Sequence, residues 1–345
     1  MYKLVSIGIA GLGNIAATHA QAIQTLQNGK LHSAFSRSEQ NRNSFTEEFD
    51  LPTFSDYPSF LAQPDLDAVA ICTPTGTHLD LGRLAAEAGK HLIIEKPIEI
   101  SVQRGKELIE ICRHNGVKLA VIYQNRFSDE DVKMKSAIDS GKIGKPVMIR
   151  AAVKWYRDQE YYSGSAWRGT FALDGGGAVI NQSIHTIDLL HWFYGDVISV
   201  SAYCATLTHP GIEAEDNAVA ILRFASGALC VFEASTSITP PQPRLIEVNG
   251  EKGTALLKGN HFSLSLEGGD QDDSTPESAG ASNPLAGLGF ENHQHQYQQI
   301  ANAIIAGNEP AVGGLESLKS LAIVEAMYKS SKENCVVKLA PEGVI

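Results

Sequence analysis

Apolar residues fall in short, compact runs over the first third of the chain. Leu4–Ala10, Leu31–Phe35, Ala68–Cys72, Leu92–Ile94 and Val117–Ile122 have the length and texture of strands buried on both faces. Helical patterns lie between them: Ala17–Leu26, a short helix around Tyr57–Gln63, Leu79–Ala88 closed by Gly89, and a helix capped by Ser101 and stopped by Gly116. Strands alternating with helices in this way predict an α/β fold, a doubly wound parallel sheet ending near Tyr123.

Beyond Tyr123 the texture changes. A helix is expected over Asp131–Gly141, then strands over Val147–Tyr156, Ile198–Thr206, Asp216–Phe224 and Gly227–Ser235. Leu245–Val248 and Gly253–Lys258 flank Asn249-Gly250, a strong hairpin signal. Hairpin spacing means an antiparallel sheet. Gly268–Gly289 is rich in Gly, Ser, Asp and Pro; it reads either as a mobile loop near a site or as a surface insertion without a role. Helices over Glu291–Ala306 and Leu315–Ser331 and a strand over Cys335–Leu339 close the chain. Two domains are expected, 1–124 and 125–345.

Composition narrows the function classes. The chain has 345 residues, 43% hydrophobic and 19% charged, and 28 Lys and Arg against 39 Asp and Glu give a net charge of −11. That excess of acid argues against a nucleic-acid partner. No apolar run is long enough to span a bilayer, and no signal peptide is read in Leu4–Ala10. The five cysteines are scattered and odd in number, as in a cytoplasmic protein with reduced thiols. His293 and His295 stand two apart on an expected helix and point to different faces, so no metal site is read.

The candidate chemistry begins at Gly11-Leu12-Gly13-Asn14-Ile15-Ala16, between a strand and a helix. The first glycine allows the tight turn, the second lets backbone approach a pyrophosphate, and Ala16 permits close helix packing, which is the dinucleotide fingerprint of a Rossmann domain. The helix N-terminus offers unpaired N–H groups to the phosphates. After the second strand an NAD site expects a carboxylate, but Ser36-Arg37-Ser38 stands there. A guanidinium and two hydroxyls suit a 2′-phosphate, which favours NADP over NAD; alternatively Arg37 faces solvent and Ser36 alone meets the ribose. Thr73 and Pro74 lie where a cofactor ribose would pass, and His78 offers either a ligand or a cap for the next helix. Glu95-Lys96-Pro97 ends a core strand, where an open parallel sheet binds its ligands.

In the second half, Tyr156-Arg157-Asp158-Gln159-Glu160-Tyr161-Tyr162 and Trp167-Arg168-Gly169-Thr170 show neither helical nor strand period. They read as a binding loop, its aromatics facing a sugar ring and its polar groups meeting hydroxyls, or as core aromatics at a domain junction. Asn181, His185 and Asp188 fall at i, i+4 and i+7 of a helix expected from Ala178 toward Trp192, so one face presents all three.

The ordered set Gly11–Ala16, Cys72–His78, Glu95-Lys96-Pro97, Tyr123-Gln124-Asn125-Arg126-Phe127 and Gly175-Gly176-Gly177 with Asn181, His185 and Asp188 resembles the Gfo/Idh/MocA oxidoreductase family over essentially the full chain. The resemblance implies a Rossmann domain followed by an α/β domain with a large, mostly antiparallel, open-faced sheet that receives substrate or mediates oligomer contacts. It implies that Lys96 reaches the reacting oxygen, that Glu95 lies near the nicotinamide, that the Lys96–Pro97 bond is cis, and that Trp167 and Arg168 contact the cofactor. Gln124 joins the expected cofactor contacts, and Arg126, Tyr156, Gln159, Asn181 and Gln182 join Lys96 and His185 as expected substrate contacts. Where relatives commonly carry aspartate this chain has Asn181, an amide that orients His185 without charging it, so the base is weaker or Lys96 takes more of the proton transfer.

The function expected is NAD(P)-dependent oxidation of a secondary alcohol on a sugar or cyclitol, with His185 as acid–base group and Lys96 stabilising the alkoxide. Alternatives are a nucleotide-sugar 3-dehydrogenase or reductase, an NAD-dependent glycoside hydrolase and a non-catalytic sugar sensor. A homo-oligomer, dimer or tetramer, is expected.

Overall fold

The computed structural model describes residues 4–269, 271–273 and 289–340. In chain order the first elements are β1 (Val5–Ala10), α1 (Ala16–Gln24), β2 (Gly29–Phe35), α2 (Glu39–Phe49), β3 (Thr53–Phe54), α3 (Tyr57–Leu61), β4 (Ala68–Ile71), α4 (His78–Glu87), β5 (His91–Ile94), α5 (Val102–His114) and β6 (Leu119–Val121). There follow α6 (Asp129–Asp139), β7 (Pro146–Lys154), α7 (Gln159–Ser163), α8 (Ile184–Tyr194), β8 (Val197–Ala205), β9 (Asn217–Phe224), β10 (Leu229–Ser235), β11 (Leu245–Gly250), β12 (Gly253–Lys258), β13 (His261–Leu266) and β14 (Gln271–Asp273). The last are α9 (Glu291–Ala306), α10 (Gly314–Glu333) and β15 (Val337–Lys338). The loop expected over Gly268–Gly289 lies, apart from its ends and β14, outside the described residues.

Two compact units form. One runs to Gln124 and takes back Gly289–Leu318; the other starts at Asn125 and resumes at Lys319. The chain therefore returns α9 to the first unit, where a two-part sequence division placed it in the second.

In the first unit six strands pair in the order β3-β2-β1-β4-β5-β6, with parallel ladders throughout. This is the dinucleotide-binding order. β1 and β4 are buried at every position, because helices cover both faces. Ile300, Ala301 and Ile304 of α9 join Ile7, Ile9 and Ile23 in one core. α2 was not expected from periodicity: Phe45 is its only buried residue, too narrow an apolar stripe to show in sequence. It starts at Ser38, whose Oγ accepts the Asn41 N–H.

In the second unit nine strands pair in the order β14-β13-β12-β11-β7-β10-β9-β8-β15, and every ladder except β7–β10 is antiparallel. β9 alternates buried and exposed residues strictly, so the sheet has one packed face and one open face. β13 completes the β12 hairpin and was not expected. The turn expected at Asn249-Gly250 lies two residues later. Asn249 pairs with Thr254 inside the ladder, and Glu251 and Lys252 make the turn, their N–H groups donating to the carbonyls of Lys145 and Ile143. That tertiary contact overrides the local turn preference.

Candidate active site

In the first unit the dinucleotide fingerprint has the geometry its residues require. Gly11 has φ 100°, and a Cβ there would stand 2.8 Å from the Cys72 carbonyl. A Cβ on Gly13 would meet nothing within 4 Å, which leaves room for a phosphate against the backbone. Asn14 is exposed and Ile15 half-buried, and no side chain caps α1, so its N-terminus is open to an anion. Thr73 Oγ1 lies 2.7 Å from Thr77 Oγ1, which in turn donates to the Pro74 carbonyl and shapes the loop after β4. The Gln124 Oε1 is buried without a partner among the described residues. A glycine cradle, an open helix end and an orphaned amide oxygen fit a dinucleotide.

At the end of β2, Arg37 is exposed. Ser36 Oγ accepts the Ser38 N–H at 3.2 Å, and Ser38 Oγ is taken as the cap of α2, so one of the two hydroxyls expected at the ribose is committed to a helix. His78 corrects its expected ligand role. It is 1% exposed, with Nδ1 3.1 Å from the Pro97 carbonyl oxygen and Nε2 3.0 Å from that of Thr73. Burial lowers its pKa, and the neutral ring ties the loop after β4 to the loop after β5.

Glu95 and Lys96 stand at the carboxyl end of β5, and the Lys96–Pro97 bond is cis. Glu95 is held from beneath. Its Oε1 lies 3.0 Å from His19 Nε2, and His19 Nδ1 lies 2.7 Å from the Tyr297 hydroxyl. Its Oε2 accepts the Lys96 N–H at 3.1 Å. Burial opposes charge on both partners, yet Cys72 and Glu95 hold the His19 pKa up at about 10, and His19 and Lys96 hold that of Glu95 down at about 2. The pair is an imidazolium and a carboxylate. His293 packs edge-on, 5.1 Å from the His19 ring, and burial followed by the His19 charge pushes its pKa down to about 3. Ligand atoms of His19, Glu95 and His293 lie within 4.8 Å of one another, a spacing a metal ion can bridge; the proton on His19 already balances Glu95. Neither His19 nor His293 was singled out as a partner of Glu95 from sequence.

In the second unit the expected continuous helix is broken. Ala178–Gln182 form a π-helical turn, and α8 starts only after Ser183, whose Oγ donates to the Ala178 carbonyl at 2.7 Å. Asn181 therefore lies before the break, while His185 and Asp188 stand one turn apart in α8. The Asn181 amide donates to the buried carboxylate of Asp174, and its oxygen accepts from Gln182 at 2.8 Å. His185 is half-buried. Asp188 is 1% exposed and takes a two-pronged ion pair from Arg126, at 2.6 and 2.7 Å. Arg126, expected to bind substrate, is thus committed to a buried pair. Asp174, seven residues earlier in the chain, puts a carboxylate behind the Asn181 amide.

Glu215 was also missed. It is buried, and its carboxylate accepts the Val179 N–H at 2.8 Å, the Gly177 N–H at 3.3 Å and the Tyr328 hydroxyl at 3.1 Å. Desolvation raises its pKa to about 7. A Cβ on Gly177 would overlap the Glu215 carbonyl oxygen at 1.9 Å. Glu215 pins the start of the turn that carries Asn181. π-Helical turns recur at functional sites.

Of the expected substrate contacts, Tyr156 and Gln159 are exposed, whereas Gln182 is buried. Gln182 accepts from Arg157 and donates to the Tyr161 hydroxyl. The Arg168 guanidinium carbon lies 4.2 Å from the centre of the Tyr161 ring and 5.3 Å from that of Trp167.

A six-stranded dinucleotide fold with a lysine at a strand end, in a chain whose other unit is built on an open nine-stranded sheet, defines a class of nicotinamide-dependent oxidoreductases. Residues 5–123 match the oxidoreductase family's NAD-binding Rossmann fold, and 132–256 match the GFO/IDH/MocA C-terminal domain. The chain is 31% identical to an uncharacterized oxidoreductase, YrbE of Bacillus subtilis, over 74% of both chains. It is 28% identical to the inositol 2-dehydrogenase of Rhizobium meliloti over 97% of this chain and 99% of that one. The WlbA dehydrogenase of Bordetella pertussis, solved with NADH and UDP-GlcNAcA, superposes with a TM-score of 0.85 at 32% identity, over 98% of this chain and 99% of that one. The chain belongs to the GFO/IDH/MocA family of NAD-binding oxidoreductases. Among the described residues no helix is long and apolar enough to cross a membrane.

Proposed function

We propose that the enzyme transfers hydride between a nicotinamide cofactor and a secondary alcohol or ketone of a sugar, a cyclitol or a nucleotide-sugar. One observation carries the reading: Lys96 stands at the carboxyl end of β5, next to a carboxylate kept ionised by His19. The nicotinamide, when bound, supplies the hydride acceptor or donor. Lys96 donates a hydrogen bond to the reacting oxygen and steadies its developing negative charge. His185 takes the hydroxyl proton on oxidation and returns it on reduction. Asn181, anchored on Asp174, orients that exchange. Relatives named for inositol and a structure holding UDP-GlcNAcA support substrates of this kind.

Arg37, exposed after β2, favours NADP(H) over NAD(H) by meeting a 2′-phosphate. The open face of the second unit's sheet shows Val219, Ile221, Leu229, Val231 and Tyr203 to solvent, and a second copy of the chain covers it in a homo-oligomer. Light scattering reads that state directly. The reading as a whole is tested by screening sugars, inositols and UDP-sugars with NAD+ and NADP+ and following reduced-nicotinamide absorbance. Turnover of at least one hydroxyl substrate is expected; silence across the screen with cofactor bound refutes it.

A further inference from the structure

We infer that His19, Glu95 and His293 form a buried site for a divalent transition-metal ion of the zinc class, which ties α9 to the strand end that carries Lys96. The inference stands apart from the hydride-transfer reading, because such a clamp forms in an inert protein as well.

The three residues come from α1, the end of β5 and α9, all within the first unit. One ligand atom from each lies within 4.8 Å of the others. A zinc ion about 2.1 Å from its ligands needs them roughly 3.4 Å apart. His19 Nε2 and Glu95 Oε1, 3.0 Å apart, nearly have that spacing, and His293 makes the remaining approach. His293 is 3% exposed, and both of its ring nitrogens are buried with no hydrogen-bond partner. A buried polar group in that state has lost its water and gained nothing in return. An ion gives one nitrogen its partner.

The surroundings of the other two residues are those of metal ligands. A ligating histidine gives its second ring N–H to an oxygen, and a ligating carboxylate is itself hydrogen-bonded. His19 Nδ1 lies 2.7 Å from the Tyr297 hydroxyl, and Glu95 Oε2 accepts the Lys96 N–H at 3.1 Å. That leaves His19 Nε2 and Glu95 Oε1 for the ion. Two imidazoles and a carboxylate suit zinc and its neighbours, whereas magnesium and calcium take oxygen ligands. The Cys72 thiol, which hydrogen-bonds the His19 ring, is a further soft donor beside the cluster. On binding, the ion displaces the proton that His19 otherwise shares with Glu95. The Glu95 side chain is 13% exposed and opens the way in. Sequence spacing hides the site, because His293 finds its partners on other elements and not in His295.

The test is titration of chelator-treated, full-length protein with Zn2+ against a competing chromophoric chelator, and with Co2+ followed by its visible absorption. It is run on wild type, His293→Ala, Tyr297→Phe and His295→Ala, with circular dichroism as the folding control. Wild type is expected to take up a single ion per chain, to give the intense Co2+ bands of a low-coordinate site, and to melt higher with Zn2+. Affinity is expected to fall roughly ten- to a hundredfold in Tyr297→Phe, which loses only the oxygen behind His19, and further in His293→Ala. His295 is exposed on the same helix, and His295→Ala should bind as wild type does. Should His293→Ala not fold, Tyr297→Phe decides. No Zn2+ uptake by the wild type overturns the inference and leaves His293 to a water molecule. Unchanged affinity in His293→Ala overturns it too, as does an equal loss in His295→Ala, which assigns the metal to surface histidines. None of these readouts needs cofactor or turnover: an inert protein that binds zinc keeps the site and sinks the hydride-transfer reading, and an active one that takes up no zinc does the reverse.

Discussion

His19 Nε2 meets Glu95 Oε1 at 3.0 Å, and this contact holds the carboxyl of the last residue before Lys96 well below the usual carboxylate range. The pH window of its stabilisation follows. His19 titrates at about 10 in the fold against 6.5 unperturbed, so its contribution is whole below pH 6.5 and drains away as pH rises to 10. Glu95 titrates at about 2 against 4.5, so its contribution is whole above pH 4.5 and drains away as pH falls to 2. Replacing His19 by Leu should cost about 3–5 kcal/mol, as expected when a buried pair loses one partner. In denaturant titrations the gap between wild type and His19→Leu should be widest from pH 4.5 to 6.5 and close toward both extremes. A gap independent of pH would show that His19 acts through packing alone.

Lys96→Met and His185→Ala should each lower kcat by roughly a hundred- to ten-thousand-fold, the span of acid–base catalysis, and leave the cofactor Kd nearly unchanged. Steady-state rates on a verified substrate together with fluorescence titration of the reduced cofactor separate the two effects. Near-normal turnover in either variant removes that residue from the mechanism.

Glu215 holds the Asn181 turn without touching a reacting atom. Glu215→Leu should lower kcat by roughly ten- to a hundredfold, because a small misplacement is costly even away from the chemistry, while cofactor affinity stays the same. Its pKa is raised, from 4.5 to about 7, so its stabilising contribution is whole below pH 4.5 and lost as pH climbs through 7. Wild type should therefore lose stability relative to Glu215→Gln across that interval, which thermal melts in a buffer series will measure. A kcat unaffected by Glu215→Leu would reduce the residue to a core filler.

Arg37→Ala should weaken NADPH by roughly ten- to a hundredfold, the worth of one charge-assisted hydrogen bond, and spare NADH. Equal losses for both cofactors would mean that Arg37 does not read the 2′-phosphate.

The positions of Gly11, Gly13, Lys96 and the core strands were legible because each is a local matter. A strand followed by a glycine turn and a helix has one way to fold, and a lysine directly after a buried strand must emerge at the sheet's carboxyl edge. Local pattern misled where a distant group overruled it. The loop at Ile143–Lys145 moved the turn past Asn249-Gly250, and Ser183 and Glu215 broke the helix that periodicity drew through Asn181, His185 and Asp188.

By itself the sequence determined the alternation of strands and helices, the dinucleotide cradle and the place of Lys96 at a strand end. Only the tertiary structure decided that His19 charges Glu95, that Asp174 stands behind Asn181, that Arg126 serves Asp188 and that Arg157 and Arg168 share one tyrosine. The reason is physical. Periodicity and turn preference act over a few residues, whereas burial sets the protonation and partnership of a polar group through whatever the fold brings to within about 3 Å of it, the reach of a hydrogen bond.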